Sequence, residues 1–457
     1  MTKTTLLRDS AGMRWTMLIM VALTMFAVYV VSDIFSPLKT ILETQNGWTS
    51  TEYGAFQGSY SLFNIVLGML IFGGIILDKR GIRFTGIISS LLMVVGIAIK
   101  YWAISTPELL ESSLTIFGKE YKMQVIWAIV GWGIFGVGAE VIGISVSKAI
   151  VKWFKGRELA LAMGLQLALA RTGAAAAFIF SPMLAKSGIS TPVLIGLSLV
   201  IVGTICFIIY SLYDKKLDNQ IKNQALEDNA KEEASFSLAD VKQIIANPGF
   251  WHIALLCVLF YSAVFPFLKF ASDLMVNKFS VEPEIAGTIP SLLPFGCILL
   301  TPLFGRIYDK IGKGANLMII GSVIITVVHA LFAAPFVQSV WIAVILMIVL
   351  GIAFSLVPSA MWPSLAKIMP EKQYGTAIAL VFYVQNIGLL AVPFIIGNVL
   401  DNNKYEAANG TIMYNYTPAM TIFACLCVAS ILIAFSLKRL DKKKGYGLQV
   451  ANMQKEK

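Results

Sequence analysis

Charged side chains are scarce in this chain. Of its 457 residues only 14% are Asp, Glu, Lys or Arg, whereas 57% are hydrophobic. A soluble globular chain is about a quarter charged and about half apolar, so the composition excludes an ordinary water-soluble domain. It indicates an all-α protein whose helices face lipid.

Histidine and cysteine are also rare, which limits the chemistry that the chain can carry. Only His252 and His329 are present, and the five cysteines lie in apolar runs without metal-ligand spacing. This pattern argues against disulfides and against any metal or cofactor. We interpret His329 as a packing residue rather than a proton relay. No nucleophile–base pair or phosphate-binding loop is recognisable, so we predict that the chain is not an enzyme, with a membrane enzyme or scaffold as the alternative.

The net charge of +10 does not indicate a nucleic-acid partner. Binding to nucleic acid requires basic residues gathered on one folded face. Here they form short clusters between apolar runs, as in the loops of a membrane protein. We therefore predict that the chain contacts membrane lipid and does not bind nucleic acid.

Twelve apolar runs are long enough to cross a bilayer, since a core about 30 Å thick needs about 20 helical residues. The predicted spans are 15–37, 52–77, 84–104, 123–147, 158–185, 192–213, 250–275, 284–308, 314–335, 339–366, 374–397 and 416–437. We predict a tail at 1–14, a six-helix half at 15–213, a polar linker at 214–249, a second six-helix half at 250–437 and a basic tail at 438–457. Within the linker, 237–242 is a candidate surface helix.

The loop charges predict the orientation. If both chain ends and the linker share one side of the membrane, the loops and adjoining span ends there hold 27 of the 36 Lys and Arg residues, and those on the opposite side hold 7. The remaining two, Arg171 and Lys269, lie deeper within spans. The positive-inside rule makes the richer side cytoplasmic. Short tails and short loops favour the inner membrane of a bacterial cell. We predict a multi-pass membrane protein and, separately, a monomer.

A short motif recurs at matching positions of the two halves. The sequence GIILDKRGIR begins at Gly74, after the second span, and GRIYDKIGK begins at Gly305, after the eighth. Parallel repeats of this kind are typical of transporters. The glycines are expected to let helices approach closely, and the aspartates to pair with adjacent basic side chains or a helix N-terminus. The predicted conformational-switch residues are Gly74, Asp78, Lys79, Arg80, Gly305, Asp309 and Lys310.

Three other segments carry a narrower likeness: WFKGRELALAMGLQLALARTG from Trp153, AVFPF from Ala263, and AMWPSLAKIMPEKQYGTAIALVFYVQNIGLL from Ala360. With the repeated loops and the twelve spans, the chain resembles the major facilitator superfamily over its whole length. In the three segments it resembles the lysosomal dipeptide-uniporter branch, of which it is predicted to be a bacterial relative. The resemblance implies a transporter in which Glu140 and Arg171 bind the two ends of a peptide.

Glu140 and Arg171 also stand out on physical grounds, because charges at bilayer depth are costly and seldom without function. They lie 16 and 15 residues from Gly156, the turn between the fourth and fifth spans. In an antiparallel hairpin both therefore reach about the same depth, near the midplane. Glycines before Glu140 and small residues after Arg171 are expected to leave space beside them. A structural ion pair is the alternative interpretation.

Four further residues are candidates for the wall of a substrate site. The resemblance extends to Tyr261, Trp362, Asn386 and Asp33, and for the first three ordinary interhelical packing is the alternative. Asp33 either receives a cationic group, forms an outer gate or ends a helix at the interface. Lys269 and Asp273 are four residues apart and are expected to pair along one helix.

These observations predict a transporter of small zwitterions, most of all dipeptides, that works by alternating access of its two halves. Whether it is a uniporter or is coupled to a proton is left open, because burial and a neighbouring arginine act on a carboxylate in opposite directions. The alternative is a proton-coupled carrier of organic or inorganic anions with the same fold, in which Arg171 binds the anion.

Overall fold

The computed structural model of the chain describes residues 6–116, 119–154, 156–225, 238–408 and 410–451. It consists of helices with two small hairpins. The helices are α1 (Ala11–Asp33), α2 (Lys39–Asn46), α3 (Ser50–Gly58), α4 (Leu62–Val66), α5 (Met69–Ser105), α6 (Glu108–Glu111), α7 (Met123–Trp153), α8 (Leu159–Ala185), α9 (Ser190–Ala225), α10 (Leu238–Ala246), α11 (Pro248–Phe279), α12 (Leu292–Ile311), α13 (Gly314–Ala333), α14 (Val340–Ile368), α15 (Glu371–Asp401) and α16 (Thr417–Lys444). Antiparallel strands β1 (Ser113–Ile116) and β2 (Lys119–Lys122) form one hairpin, and β3 (Lys404–Glu406) and β4 (Ile412–Tyr414) form the other.

The predicted fold is confirmed, with one crossing that is built differently from the expectation. Eleven helices among the described residues are long and apolar enough to cross a membrane. The second predicted span, 52–77, is instead divided among α3, a 3-10 turn, α4 and the start of α5, with Gly68 left-handed at φ 60°. Glycine and serine are poor helix formers, and here they are frequent. The chain therefore still crosses the membrane twelve times, and one of these crossings is a broken helix.

The helices form two bundles of six crossings. In the first, α1 packs against α8 and α9, and α5 packs against α7. In the second, α12 and α13 pack against α14, and α13 packs against α16. We call the side of the bundle with both chain ends the termini side, and the opposite side the far side.

The predicted linker is partly helical. Helix α9 continues to Ala225, twelve residues beyond the predicted end of the sixth span, and α10 covers the candidate surface helix from Leu238 onward. Ser237, the predicted first residue of that helix, and the rest of 226–237 lie outside the described residues, as do the ends of the two tails.

Each chain end is fastened to its own half. Ahead of α1, the Leu7 amide donates to Gln220 Oε1 at 2.9 Å, and Asp9 pairs with Arg157 at 2.9 Å. After α16, residues 445–451 fold back over the α12–α13 turn. There the Gly314 amide donates to the Leu448 carbonyl at 2.8 Å, and Lys367 Nζ donates to the Val450 carbonyl at 2.7 Å.

Candidate functional site

A cavity of about 510 Å³ lies between the two halves near mid-depth. Five of the six predicted substrate-binding residues line it: Asp33, Glu140, Arg171, Tyr261 and Trp362. They come from α1, α7 and α8 of the first half and from α11 and α14 of the second. The cavity therefore brings together side chains that are up to 329 positions apart in the sequence.

Glu140 reaches the cavity from a glycine-rich stretch of α7. The sequence suggested that these glycines leave open space beside Glu140, but in the structure they do not. A Cβ at Gly136 would lie 2.0 Å from the Tyr60 carbonyl oxygen, and one at Gly138 would lie 2.6 Å from the Ser89 carbonyl oxygen. Small residues thus let α7 pack directly against neighbouring backbone, as is common in membrane helices. The polar neighbour of the Glu140 carboxylate is the Tyr60 side chain.

Arg171 is half-buried on α8 and faces aromatic rings. Its guanidinium carbon lies 5.7 Å from the centroid of Tyr29 and 5.1 Å from that of Phe354. The alternative interpretation, a structural ion pair with Glu140, is not found: none of the ion pairs of the described residues, with nitrogen and oxygen within 4.0 Å, joins the two. Each charge is instead left facing the shared cavity.

The second half contributes an aromatic wall. The Tyr261 and Phe265 rings stack with centroids 5.3 Å apart, and Trp362 lies 5.1 Å from Phe382. The centroids of Phe265 and Phe354 are 5.5 Å apart, so Arg171 and this wall face the same space. Such a surface accepts apolar and cationic groups alike.

Asn386 is placed differently from the other candidates. It is 1% exposed, does not line the cavity, and donates from Nδ2 to the Phe382 carbonyl at 3.0 Å. Its neighbour Gln385 lines the cavity instead and accepts from Cys257 Sγ at 3.3 Å. One residue along a helix turns the side chain by about 100°, which separates the two amides.

Asp33 closes the far end of the cavity by pairing across the halves. Its carboxylate accepts from Lys269 Nζ at 2.7 Å, and Lys269 also donates to the Ser32 carbonyl at 2.7 Å. Asp273 is paired with Lys39 at 2.8 Å and accepts from Thr40 at 2.6 Å. The expected pairing of Lys269 with Asp273 along α11 is therefore wrong in this conformation, because each finds a stronger partner in the opposite half.

Backbone contacts between the halves also lie on the far side. A Cβ at Gly54 would be 2.2 Å from the Pro393 carbonyl oxygen, and one at Gly287 would be 2.0 Å from the Phe178 carbonyl oxygen. On the termini side, Cβ atoms at Gly164 and Gly375 would meet nothing within 4 Å. The halves are closed together on the far side, whereas Gly164 and Gly375 on the termini side have open space beside them.

The repeated loops share one backbone feature. Gly81 and Gly312, which follow the Asp-Lys pairs, adopt φ angles of 82° and 68°. Gly74 and Gly305 face no atom within 4 Å, so the expected close helix approach is not present there. Asp78 pairs with Lys148 of α7 at 2.7 Å rather than with an adjacent cation. Arg80 lies 5.9 Å from the Phe84 ring, Lys79 and Lys310 are exposed, and Asp309 lies in the last turns of α12.

The model of the Major Facilitator Superfamily matches residues 17–393 and 267–449, which together run through nearly the whole chain. The chain belongs to the major facilitator superfamily. This transporter is 28% identical over 440 residues to the lysosomal dipeptide transporter MFSD1 of Homo sapiens, covering 94% of this chain and 87% of that one. It is 32% identical over 298 residues to the protein of the same name from Gallus gallus, covering 64% and 66%.

Solved structures show the same fold at low sequence identity. The nucleoside transporter NupG matches the transporter with a TM-score of 0.63 and 16% identity, over 93% of this chain and 99% of that one. A bacterial homologue of the human drug peptide transporters PepT1 and PepT2 matches with a TM-score of 0.60 and 12% identity, over 94% and 99%. These likenesses show a shared fold and carry no information on the transported molecule.

Sequence reasoning missed two buried lysines of the transporter. Lys39 and Lys100 were not singled out from the sequence, but they are 1% and 0% exposed. Lys100 lies inside α5, and Lys39 begins α2 within the closed far side. A signal was available for Lys100, because it interrupts an apolar run within the predicted third span.

Proposed function

We propose that the protein transports small zwitterions, and dipeptides in particular, by alternating access of its two halves. The observation that carries this proposal is that Glu140 and Arg171 line one cavity without forming an ion pair to each other. Isolated charges inside a membrane protein are costly unless a partner compensates them. A ligand with both an ammonium and a carboxylate compensates both at once.

The chemistry of the two side chains suits the two ends of a peptide. The planar guanidinium of Arg171 offers two parallel N–H donors to a carboxylate. The Glu140 carboxylate accepts from an ammonium. The aromatic wall around Tyr261 and Trp362 then packs against the peptide's side chains. A cavity of about 510 Å³ is within the range of small-molecule sites.

The relatives support the same cargo. The relatives described above are lysosomal dipeptide transporters, which supports dipeptides as the substrate of this protein. Their names do not determine the membrane in which this protein lies. We propose a cell inner membrane with both chain ends cytoplasmic, a monomer, and functional halves bounded by the predicted linker. Reaction of an impermeant thiol reagent with a cysteine placed at exposed Lys443, tested in intact cells and in inverted vesicles, reports the side on which the C-terminus lies.

The test uses a ligand set in which each charge is blocked separately. Counterflow of labelled alanyl-alanine into proteoliposomes is competed with the free dipeptide, its N-acetyl form, its C-terminal amide and the doubly blocked form. We expect competition by the free dipeptide and at least about tenfold weaker competition by each blocked form, since a charged hydrogen bond contributes about 1.5–3 kcal/mol. Equal competition by the N-acetyl monoanion would instead support the anion carrier and contradict the zwitterion site.

Paired variants assign each end of the peptide to one side chain. Glu140→Gln should remove the discrimination against N-acetylation and leave the discrimination against amidation, whereas Arg171→Met should do the opposite. Gln385→Glu is a matched control that adds charge to the cavity wall without touching either proposed contact. If both variants change both preferences equally, the assignment of the two ends is wrong.

A further inference from the structure

Lys100 is a buried cation that the proposed site does not use. It lies in α5, is 0% exposed, and its Nζ has no hydrogen-bond partner among the described residues. Aromatic rings surround this nitrogen. It lies 3.9 Å from the centroid of Trp132, 4.7 Å from that of Phe35 and 5.8 Å from that of Phe56.

An ammonium in this position calls for an explanation. Contacts with aromatic faces offset only part of the free energy that is needed to bury an unpaired charge. Burial disfavours the charged form of Lys100, and the neighbouring cation Lys269 disfavours it further. A methionine of similar length would fill the same space without this cost. The lysine is therefore better explained by a second conformation in which it has a partner.

The closed far side holds charges from both halves. Three ion pairs of the described residues cross between the halves: Lys186 with Glu284, Asp33 with Lys269, and Lys39 with Asp273. The first is at the surface, and we call the other two the crossed ion pairs. Glu43 pairs with Lys39 at 2.8 Å inside the first half. Tyr416 of the second half donates to Asp273, and Tyr414 lies against Lys39, with its ring centroid 4.1 Å from Nζ. Alternating access requires the crossed ion pairs to break whenever the far side opens.

Three of the four charges in the crossed ion pairs, all except Asp33, have an oppositely charged side chain beside them in their own half. Lys39 keeps Glu43, and Lys269 and Asp273 are four residues apart on α11, the spacing at which helical side chains pair. Asp33 has no such acid–base neighbour on its own helix. Lys100 supplies the missing cation, because Phe35, which touches its ammonium, is only two residues from Asp33. The charges thus balance within each half only if Lys100 is counted.

We infer that Lys100 is a positioning residue of the transport cycle: it replaces Lys269 as the partner of Asp33 when the halves separate on the far side. The rings of Trp132, Phe35 and Phe56 hold the Lys100 ammonium while Asp33 is paired with Lys269. The exchange keeps Asp33 paired and oriented at the mouth of the cavity in both conformations. This inference rests on the alternating access in the proposed function but not on the identity of the substrate.

The experiment measures the far-side distance without any substrate. In a variant lacking the five native cysteines, spin labels are placed at Ser187 and Glu282, which are exposed and lie in opposite halves beside the Lys186–Glu284 pair at 3.9 Å. Pulsed electron–electron double resonance then reports a short distance between the labels when the far side is closed and a long distance when it is open. A Lys269→Met background, in which one crossed ion pair is removed, should raise the long-distance population.

In that background, Lys100→Met should lower the long-distance population at least about fivefold, the scale of a typical coupling between two states. Lys100→Arg should retain it. In an Asp33→Asn background Lys100→Met should have no further effect, because the acceptor is gone. Lys278→Met is the control, since this far-side lysine donates to the Phe332 and Ala334 carbonyls within one half.

A purely structural role would give a different result. Lys100→Met would then change the unfolding temperature and leave the distance distribution as it was. That outcome, an equal effect of Lys100→Met with and without Asp33, or no long-distance population in any background would overturn the inference. Because no substrate is added, failure of the dipeptide assay leaves this measurement intact, and the two proposals fail separately.

Discussion

The contact of α3 with α15 permits a prediction with a magnitude taken from the structure. Replacing Gly54 by alanine would place a Cβ 2.2 Å from the Pro393 carbonyl oxygen, whereas ordinary contact begins at 3.4 Å. The two helices must therefore separate by about 1.2 Å, the difference between these distances. The obstacle is backbone and belongs to the opposite half, so neither side-chain rotation nor repacking within one half relieves it.

Overpacking of this kind typically costs about 1–3 kcal/mol. The cost applies only while the far side is closed, so the closed population should fall about 5- to 150-fold relative to the open one. Alanine also favours the helix over glycine by about 0.5–1 kcal/mol, but this gain is equal in both conformations and cancels between them. Gly54→Ala should therefore shift the equilibrium toward the open far side.

The label pair at Ser187 and Glu282 measures this shift directly. Gly375→Ala is the matched control, because it changes the same residue type in α15, where the new Cβ meets nothing within 4 Å. An unchanged distance distribution in Gly54→Ala, or an equal shift in Gly375→Ala, would refute the view that backbone contact closes the far side.

The remaining predictions concern the fold and the site. Gly136→Ala places its Cβ 2.0 Å from the Tyr60 carbonyl oxygen inside one half, so it should lower the unfolding temperature in a scanning-fluorimetry experiment without shifting the far-side distance. Arg171→Lys keeps the charge but loses the bidentate fork, and we expect about tenfold weaker alanyl-alanine competition in counterflow; unchanged competition would contradict the carboxylate contact. Truncation after Lys444 removes the carbonyls that Lys367 and the α12–α13 turn bind, which should lower the unfolding temperature; Lys443→Ala, an exposed change nearby, should leave it unchanged.

Features set by local sequence could be predicted well. The crossings follow from apolar runs whose length is fixed by the bilayer. The shared depth of Glu140 and Arg171 followed from hairpin arithmetic, which needs only a helical rise and a turn at Gly156. The repeated loops were recognised from the sequence, but the positive φ angles at Gly81 and Gly312 within them were not predicted.

Features that depend on the other half could not be predicted. Asp33 and Lys269 are 236 positions apart, and nothing in the sequence indicates that this pairing replaces the local one with Asp273. The choice between Gln385 and Asn386 required the rotation of α15, which a prediction of spans does not fix.

The separate fastening of the two chain ends has a consequence for how the protein is assembled. Among the described residues, the segment ahead of α1 binds the first bundle, and residues 445–451 bind the second. Each bundle therefore completes its termini-side surface with its own segment of chain. Two polypeptides divided between Ala225 and Leu238 should thus associate into a working transporter when they are co-expressed, held together by the contacts between the halves.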